Sequence, residues 1–225
     1  MPGYKVKFET VTVGGADYLI RSLFDLQQYA DPAGEADLIG VPPANWSLFG
    51  HIWPSARVLA LAMHDFELAG KRILEIGAGL ALASLVIHKR NGNVTVSDWH
   101  PLSEPFLKEN LLLNNLSVLK YQTGNWETGN PALGRFDLII GSDILYERQQ
   151  PLQLARFIDR HAAAAAEIVI VDPDRGNRSA FCREMTSLGF EATTRRAAPF
   201  LENGDAYKGC FMGFSKQRKR MAGLD

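Results

Sequence analysis

The sequence predicts a three-layer α/β domain: a mostly parallel sheet of seven strands, helices on both faces, and a β-hairpin ahead of it. Three observations carry this. From residue 54 onward, short β-type runs alternate with amphipathic helical runs, the order that builds parallel sheets from strand–helix units. The runs 136–141 (FDLIIG) and 167–171 (EIVIV) are apolar with little polar alternation, as centre strands covered on both faces must be. The last two extended stretches, 191–196 and 207–214, have no helical pattern between them. They are therefore expected to pair antiparallel at one edge of the sheet.

The elements follow in order. Residues 4–22 alternate apolar and polar side chains around Gly14-Gly15, a hairpin pattern. Residues 23–50 contain Pro32, Pro42, Pro43, Gly34, Gly40 and Gly50 and read as a long loop region. The same segment holds Asp25, Asp31, Glu35 and Asp37 without a single Lys or Arg. It is either a solvated acidic loop or an acidic lip that draws in a cationic substrate. Pro54 suits a first helical turn, and the apolar spacing after it continues to Gly70. A strand over 72–76 precedes a helix over 81–90 that stops at Asn91-Gly92. A strand at 94–97, a helix at 101–114 and a strand at 118–122 come next. After the 136–141 strand comes a helix over 151–165, which the alanine run 162–166 continues. The 167–171 strand and a helix over 179–188 complete the alternation.

The chain has 225 residues, 46% hydrophobic and 22% charged, ordinary for a soluble globular protein. Its length predicts one full-sized domain with a small extension; the division expected is an N-terminal extension, 1–45, the domain, 46–215, and a basic tail, 216–225. Lys and Arg number 24 against 25 Asp and Glu, a net charge of −1, which argues against a generally basic nucleic-acid binder. Cys182 and Cys210 have no metal-ligand spacing and make no disulfide framework. The five histidines give no ligand set, so no metal is expected. The N-terminus lacks the apolar core of a signal peptide, and no apolar run approaches the ~20 residues that cross a bilayer. A cytoplasmic location without membrane contact is the expectation.

Chemistry concentrates first at 74–82, LEIGAGLAL, between a strand and a helix. Gly77 and Gly79 permit a tight turn and close approach of a ligand to the backbone. A phosphate-binding loop would end in Gly-Lys-Ser/Thr, which is absent. A dinucleotide fingerprint would place a third glycine at 82, where Leu82 stands. Glu75, ahead of Gly77, would repel a pyrophosphate but suits a ligand with an ammonium or a sulfonium; S-adenosylmethionine has both. Asp98 ends the second strand, 19 residues after Gly79. An acid there either accepts both hydroxyls of a ribose or caps the helix that starts near Pro101.

Together the ExGxG turn, the acid ending the second strand and FDLIIGSDILY resemble the class I, Rossmann-like, seven-stranded S-adenosylmethionine-dependent methyltransferases. Asp143–Tyr146 as an Asp-x-x-Tyr element, GHIWPSA at 50–56 and Trp126 in GNWE look like the protein-lysine methyltransferase branch marked by that element. Some bacterial members of the branch carry a label of likeness to nicotinamide methylases. The resemblance implies that Gly77, Ala78 and Gly79 cradle S-adenosylmethionine and its product S-adenosylhomocysteine. It also implies that Trp53 meets the methionine end, Trp126 the adenine, and Ser142 the floor beneath. Asp143 and Tyr146 are then the catalytic pair that positions the acceptor amine. The implied partner is a protein substrate. A small-molecule amine or pyridine acceptor, or a scaffold that keeps the fold without catalysis, are the alternatives. The Asn/Asp-Pro-Pro-aromatic motif of amino-methylating nucleic-acid enzymes is absent after the fourth strand, so no nucleic-acid partner is expected.

Overall fold

The structure, a computed structural model, describes residues 3–128 and 130–216. A hairpin of β1 (Val6–Val13) and β2 (Ala16–Leu23) precedes a short helix α1 (Glu35–Leu38) and a 3-10 segment at Pro43–Gly50. Then come α2 (Pro54–Asp65), β3 (Arg72–Ile76), α3 (Leu82–Lys89), β4 (Asn93–Asp98), α4 (Ser103–Leu113) and β5 (Lys120–Thr123). The second half comprises β6 (Phe136–Ser142), α5 (Gln150–His161), β7 (Ala162–Asp172), α6 (Arg178–Ser187), β8 (Glu191–Arg196) and β9 (Cys210–Ser215). Segment 23–50 is thus less of a loop than its prolines and glycines suggest.

The main sheet has seven strands in the order β5-β4-β3-β6-β7-β9-β8. The first five strands are parallel, while β9 runs antiparallel to both β7 and β8. The expected antiparallel pairing lies at that edge, with β9 inserted one strand in from it. From β3 the chain winds outward to β4 and β5, then returns to β6 on the other side of β3. Loops leaving β3 and β6 therefore diverge, and a crevice opens at the carboxyl ends of the strands, where open α/β sheets bind ligands.

Continuous apolarity of the centre strands has a direct cause. Ile73 of β3 and Leu138 and Ile140 of β6 enter the core under α2, α3 and α4. Their chain neighbours Leu74, Ile76 and Ile139 enter the opposite core under α5 and α6. Side chains alternate across a strand, and here both faces are covered.

The alanine run 162–166 is not helical. Helix α5 stops at His161, and β7 begins at Ala162. Alanine favours helix only as a weak prior that tertiary pairing overrides. Here Ala162 pairs with Phe136, its carbonyl accepts from Arg135, and the Ala166 carbonyl accepts from the Lys216 amide. Between the Phe136–Ala162 and Leu138–Glu167 pairs the ladder bulges. Of the basic tail, only Lys216 is described, and it pairs with Asp159; Arg218, Lys219 and Arg220 lie outside the described residues.

No described helix is long and apolar enough to cross a membrane.

The hairpin joins the domain through its core and through a clamp. Val11, Val13, Tyr18, Ile20 and Leu23 lie in the same apolar cluster as α2, α3 and α4. Along the outer edge of β2, the Asn110 carboxamide accepts from the Arg21 amide (2.7 Å) and donates to its carbonyl (3.3 Å). Asn114, one turn on, does the same for Leu19 at 2.9 and 2.8 Å. Two side chains of α4 thus act as the missing third strand and close a free sheet edge. Asn110 is fully buried, so Asn110→Leu leaves two backbone groups of Arg21 without partners. The expected cost is about 2 kcal/mol, seen as a lower urea midpoint at constant slope. An unchanged midpoint would show that the clamp adds nothing to stability.

Candidate functional site

A cavity of about 490 Å³ occupies the crevice, within the range of small-molecule sites. Its wall brings together nine of the ten residues expected from the sequence: Trp53, Gly77, Ala78, Gly79, Asp98, Trp126, Ser142, Asp143 and Tyr146. The tenth, Glu75, is not in the wall.

Turn 77–79 is forced by its glycines. Both have left-handed backbones, φ 56° at Gly77 and 54° at Gly79, which side chains adopt at a cost. A Cβ on Gly77 would stand 2.7 Å from Ile144 Cγ2 and 3.3 Å from the Trp126 ring; one on Gly79 would stand 2.9 Å from the Phe49 carbonyl oxygen. The turn is therefore pressed between Trp126 and the 3-10 segment.

Glu75 works from behind the turn. The N-cap of α3, Ala81, offers no side-chain cap. Glu75 Oε2 instead accepts from the Ser84 amide at 2.8 Å and from the Ser84 hydroxyl, satisfying a first-turn N–H that the helix leaves without a partner. Burial pushes its carboxyl up to about 7, against the two Ser84 bonds. The carboxylate expected to face a cationic ligand is thus spent on holding the helix start.

Asp98, at the end of β4, lies in the wall. Its Oδ2 accepts from the Gly79 amide at 2.7 Å and its Oδ1 from the His100 amide at 2.8 Å. It does not cap α4, whose N-cap residue is Leu102. A carboxylate has about four acceptor sites, so each oxygen keeps capacity for a hydroxyl, and the two hydroxyls of a vicinal diol fit this pair of acceptors. Burial raises the Asp98 carboxyl, while the His100 and Gly79 amides lower it.

Indole rings flank these groups. Trp53 Nε1 donates to the Leu48 carbonyl at 2.9 Å, which fixes the ring at the start of α2. Phe49 stacks on His100 with ring centroids 3.9 Å apart, and burial pushes the imidazole down to about 4. Both rings line the cavity, and the sequence reading missed them. His100 followed the predicted strand end, but nothing in the sequence announced its partner in segment 43–50.

On the other side, Ser142 ends β6 and the next residue turns sharply. Asp143 has φ 55°, a conformation Asp tolerates better than most residues. Its amide donates to the Val171 carbonyl at 2.9 Å, and its Oδ1 accepts from Arg175 Nε at 2.7 Å. Arg175 also lines the cavity and was not anticipated. The signal was in VDPDR, a cation just beyond the end of a centre strand. Tyr146 is 44% exposed at the rim, yet its phenol is pushed up to about 12, first by burial and then by Asp98 and Glu147. Glu147 Oε1 accepts from Asn45 Nδ2 at 2.8 Å, joining this turn to the 3-10 segment.

The wall carries Asp98, Glu127, Asp143 and Glu147 against a single cation, Arg175, among the described residues. That balance suits a cationic ligand. The acids of segment 23–50 are not in the wall; Val41, Pro42, Asn45, Leu48 and Phe49 are. Among the described residues, no group of three or more His, Cys, Asp or Glu is placed to hold a metal ion.

A family model described as lysine methyltransferase matches residues 43–187. A calmodulin-lysine N-methyltransferase of Arabidopsis thaliana is 29% identical over 150 residues, covering 61% of this chain and 49% of that protein. A histone-arginine methyltransferase, METTL23 of Xenopus laevis, is 33% identical over 104 residues, covering 43% of this chain and 44% of that protein. The chain thus spans about half the length of these curated relatives. Among solved structures, a methyltransferase from Pyrococcus furiosus superposes with a TM-score of 0.60 at 18% identity, over 77% of this chain and 92% of that one; it shares the fold.

Glu75 gives the site a pH signature. Its carboxyl titrates near 4.5 when unfolded and about 7 when folded. A raised carboxyl contributes fully below pH 4.5, and that contribution is lost as pH rises through 7, roughly 3 kcal/mol in all. Glu75→Gln keeps an acceptor for Ser84 and cannot ionise. Urea unfolding from pH 4.5 to 8.5 should show the variant gaining stability relative to the parent across this window. Parallel curves would mean that Glu75 does not carry the shift.

Proposed function

The chain belongs to the lysine methyltransferase family, and from that premise we propose that it transfers a methyl group from S-adenosylmethionine to the side-chain amine of a protein lysine, leaving S-adenosylhomocysteine. The observation that carries this reading is one cavity with the 77–79 turn and Asp98 on one side and the Asp143–Tyr146 element on the other. S-adenosylmethionine supplies a methyl group made electrophilic by its sulfonium.

The residues divide the remaining work. Asp98 accepts the two ribose hydroxyls, and the glycine turn lets the ligand reach the backbone. Trp126 covers the adenine side, and Trp53 attracts the sulfonium by a cation–π contact of about 0.5–2 kcal/mol. Ser142 floors the cavity. Asp143 and Tyr146 orient the acceptor nitrogen for in-line attack, where alignment and exclusion of water supply the rate. Tyr146 stays protonated at neutral pH, so it positions the amine rather than removing its proton, which passes to solvent at the open rim.

A protein acceptor agrees with the half-exposed Tyr146 at the rim. The acidic wall disfavours a phosphodiester backbone. Free thiols at Cys182 and Cys210 agree with a reducing compartment such as the cytoplasm. One relative carries a histone-arginine name, so arginine is the second acceptor to test.

Calorimetry should show S-adenosylhomocysteine binding in the low-micromolar range while NAD does not bind. Asp98→Ala should weaken that binding by roughly 10- to 100-fold, since bonds to a charged acceptor contribute about 1.5–3 kcal/mol. Tight NAD binding, with no response to the adenosyl ligand, would overturn the assignment.

Tyr146→Phe keeps the ring and removes the hydroxyl. It should leave ligand affinity unchanged and slow methyl transfer about a hundredfold, close to 3 kcal/mol. The assay is labelled S-adenosylmethionine incubated with cell extract, followed by hydrolysis and mass spectrometry. Methyl-lysine in a protein band supports the proposal; methyl-arginine moves the acceptor; label confined to small molecules replaces it. A fully active Tyr146→Phe protein would make the Asp-x-x-Tyr element mere scaffold.

A further inference from the structure

Arg175 closes the acceptor side of the cavity in a way the proposed transfer does not by itself require. Its Nε donates to Asp143 Oδ1 at 2.7 Å, and its backbone amide donates to Asp172 Oδ1 at 2.8 Å. The Asp143 side chain is 7% exposed and that of Arg175 43%, so the carboxylate is enclosed and the guanidinium carries the open side. Asp143 Oδ2 takes part in no hydrogen bond among the described residues.

The charges around the pair are few. Asp172 is fully buried behind it, its carboxyl raised by burial and by Asp143. Asp174 is engaged by Arg178 and does not compete for Arg175. Tyr146 is a neutral phenol, and Tyr207, also raised by burial, bonds Ser55. Glu147 is held by Asn45, and Asp98 faces the pair from the donor side.

A lysine amine attacks only when neutral, and its unperturbed pKa is about 10.4. A bare enclosed carboxylate beside it would favour the ammonium and so oppose the reaction. We infer that Arg175 is a positioning residue that cancels the charge of Asp143, leaving Oδ2 to orient the acceptor nitrogen by a hydrogen bond without stabilising its protonated form. This rests on the methyl-transfer reading of the cavity.

The test needs no known substrate. The probe is an S-adenosylmethionine analogue in which a carbon-bound amine replaces the methylated sulfonium, so that an ionisable nitrogen stands where the methyl group would transfer. S-adenosylhomocysteine is the reference. In Arg175→Met, the affinity ratio of probe to reference at pH 7 should exceed the parent's by tenfold or more. That excess should vanish as pH rises past the amine's own titration. Arg175→Lys, which keeps the charge, should retain the parent ratio, and adding Asp143→Asn to Arg175→Met should abolish the gain. Arg175→Gln, with the same expected gain, takes the place of the Met variant if thermal melts show that variant unfolded. A ratio within twofold of the parent's, or a Lys variant that behaves like the Met variant, would overturn the inference. If S-adenosylhomocysteine does not bind the parent, the reading of the cavity fails instead.

Discussion

The hydrogen bond from the Gly79 amide to Asp98 Oδ2 ties the loop leaving β3 to the end of β4, and the rest of the site is arranged around it. β3 and β4 are parallel neighbours in register up to Ile76 and Ser97. Their ends therefore emerge side by side, but the two loops must still be fixed to each other. A carboxylate at the second strand end does this only if the backbone of the first loop can turn toward it. That requires left-handed residues at 77 and 79 and no side chain at either, because a Cβ would meet Ile144 at the first and the Phe49 carbonyl at the second. The same bond orients the carboxylate and leaves each of its oxygens able to accept again. A structural constraint and a face with spare acceptors are thus one arrangement.

Two hidden supports hold that arrangement. Glu75 secures the start of α3 from below, through Ser84. Phe49 presses its carbonyl against Gly79 and stacks on His100, and burial keeps the histidine neutral. A neutral ring adds no positive charge to the wall. The local field is therefore set by carboxylates, with Arg175 opposing them on the far side alone. Charge is segregated across β3, with Asp98 facing no cation on the β4 side and Asp143 paired with Arg175 on the β6 side.

The sheet and the meeting of the 77–79 turn with Asp98 were legible because local chemistry dictates them. Glycines at 77 and 79, an acid ending β4 and strands without polar alternation each answer to one physical demand. What was not legible depends on pairing at a distance. The alanine run could not reveal that Phe136, Arg135 and Lys216 would hold it as strand. Glu75 gave the right residue type for a ligand cation, but the serine nine positions on claims it. The clamp of Asn110 and Asn114 on β2 joins residues 89 and 95 apart in sequence, and no periodicity reports that.

Arg175 belongs to the same class of long-range facts, and sheet register accounts for it. β6 and β7 are parallel neighbours, with Ser142 opposite Val171. Asp143, just past β6, and Asp172, the last residue of β7, therefore come together at the strand ends. Two carboxylates meeting at a strand end with little exposure would repel each other. Two changes relieve them: the deeper one is pushed toward its neutral form, and the outer one gains a cation from the turn that follows β7. Asp172 supports that turn by accepting the Arg175 amide. The cation is thus placed by the acid behind it and paired with the acid in front, so the β6–β7 pairing that builds the sheet also sets the charge on this side of the cavity.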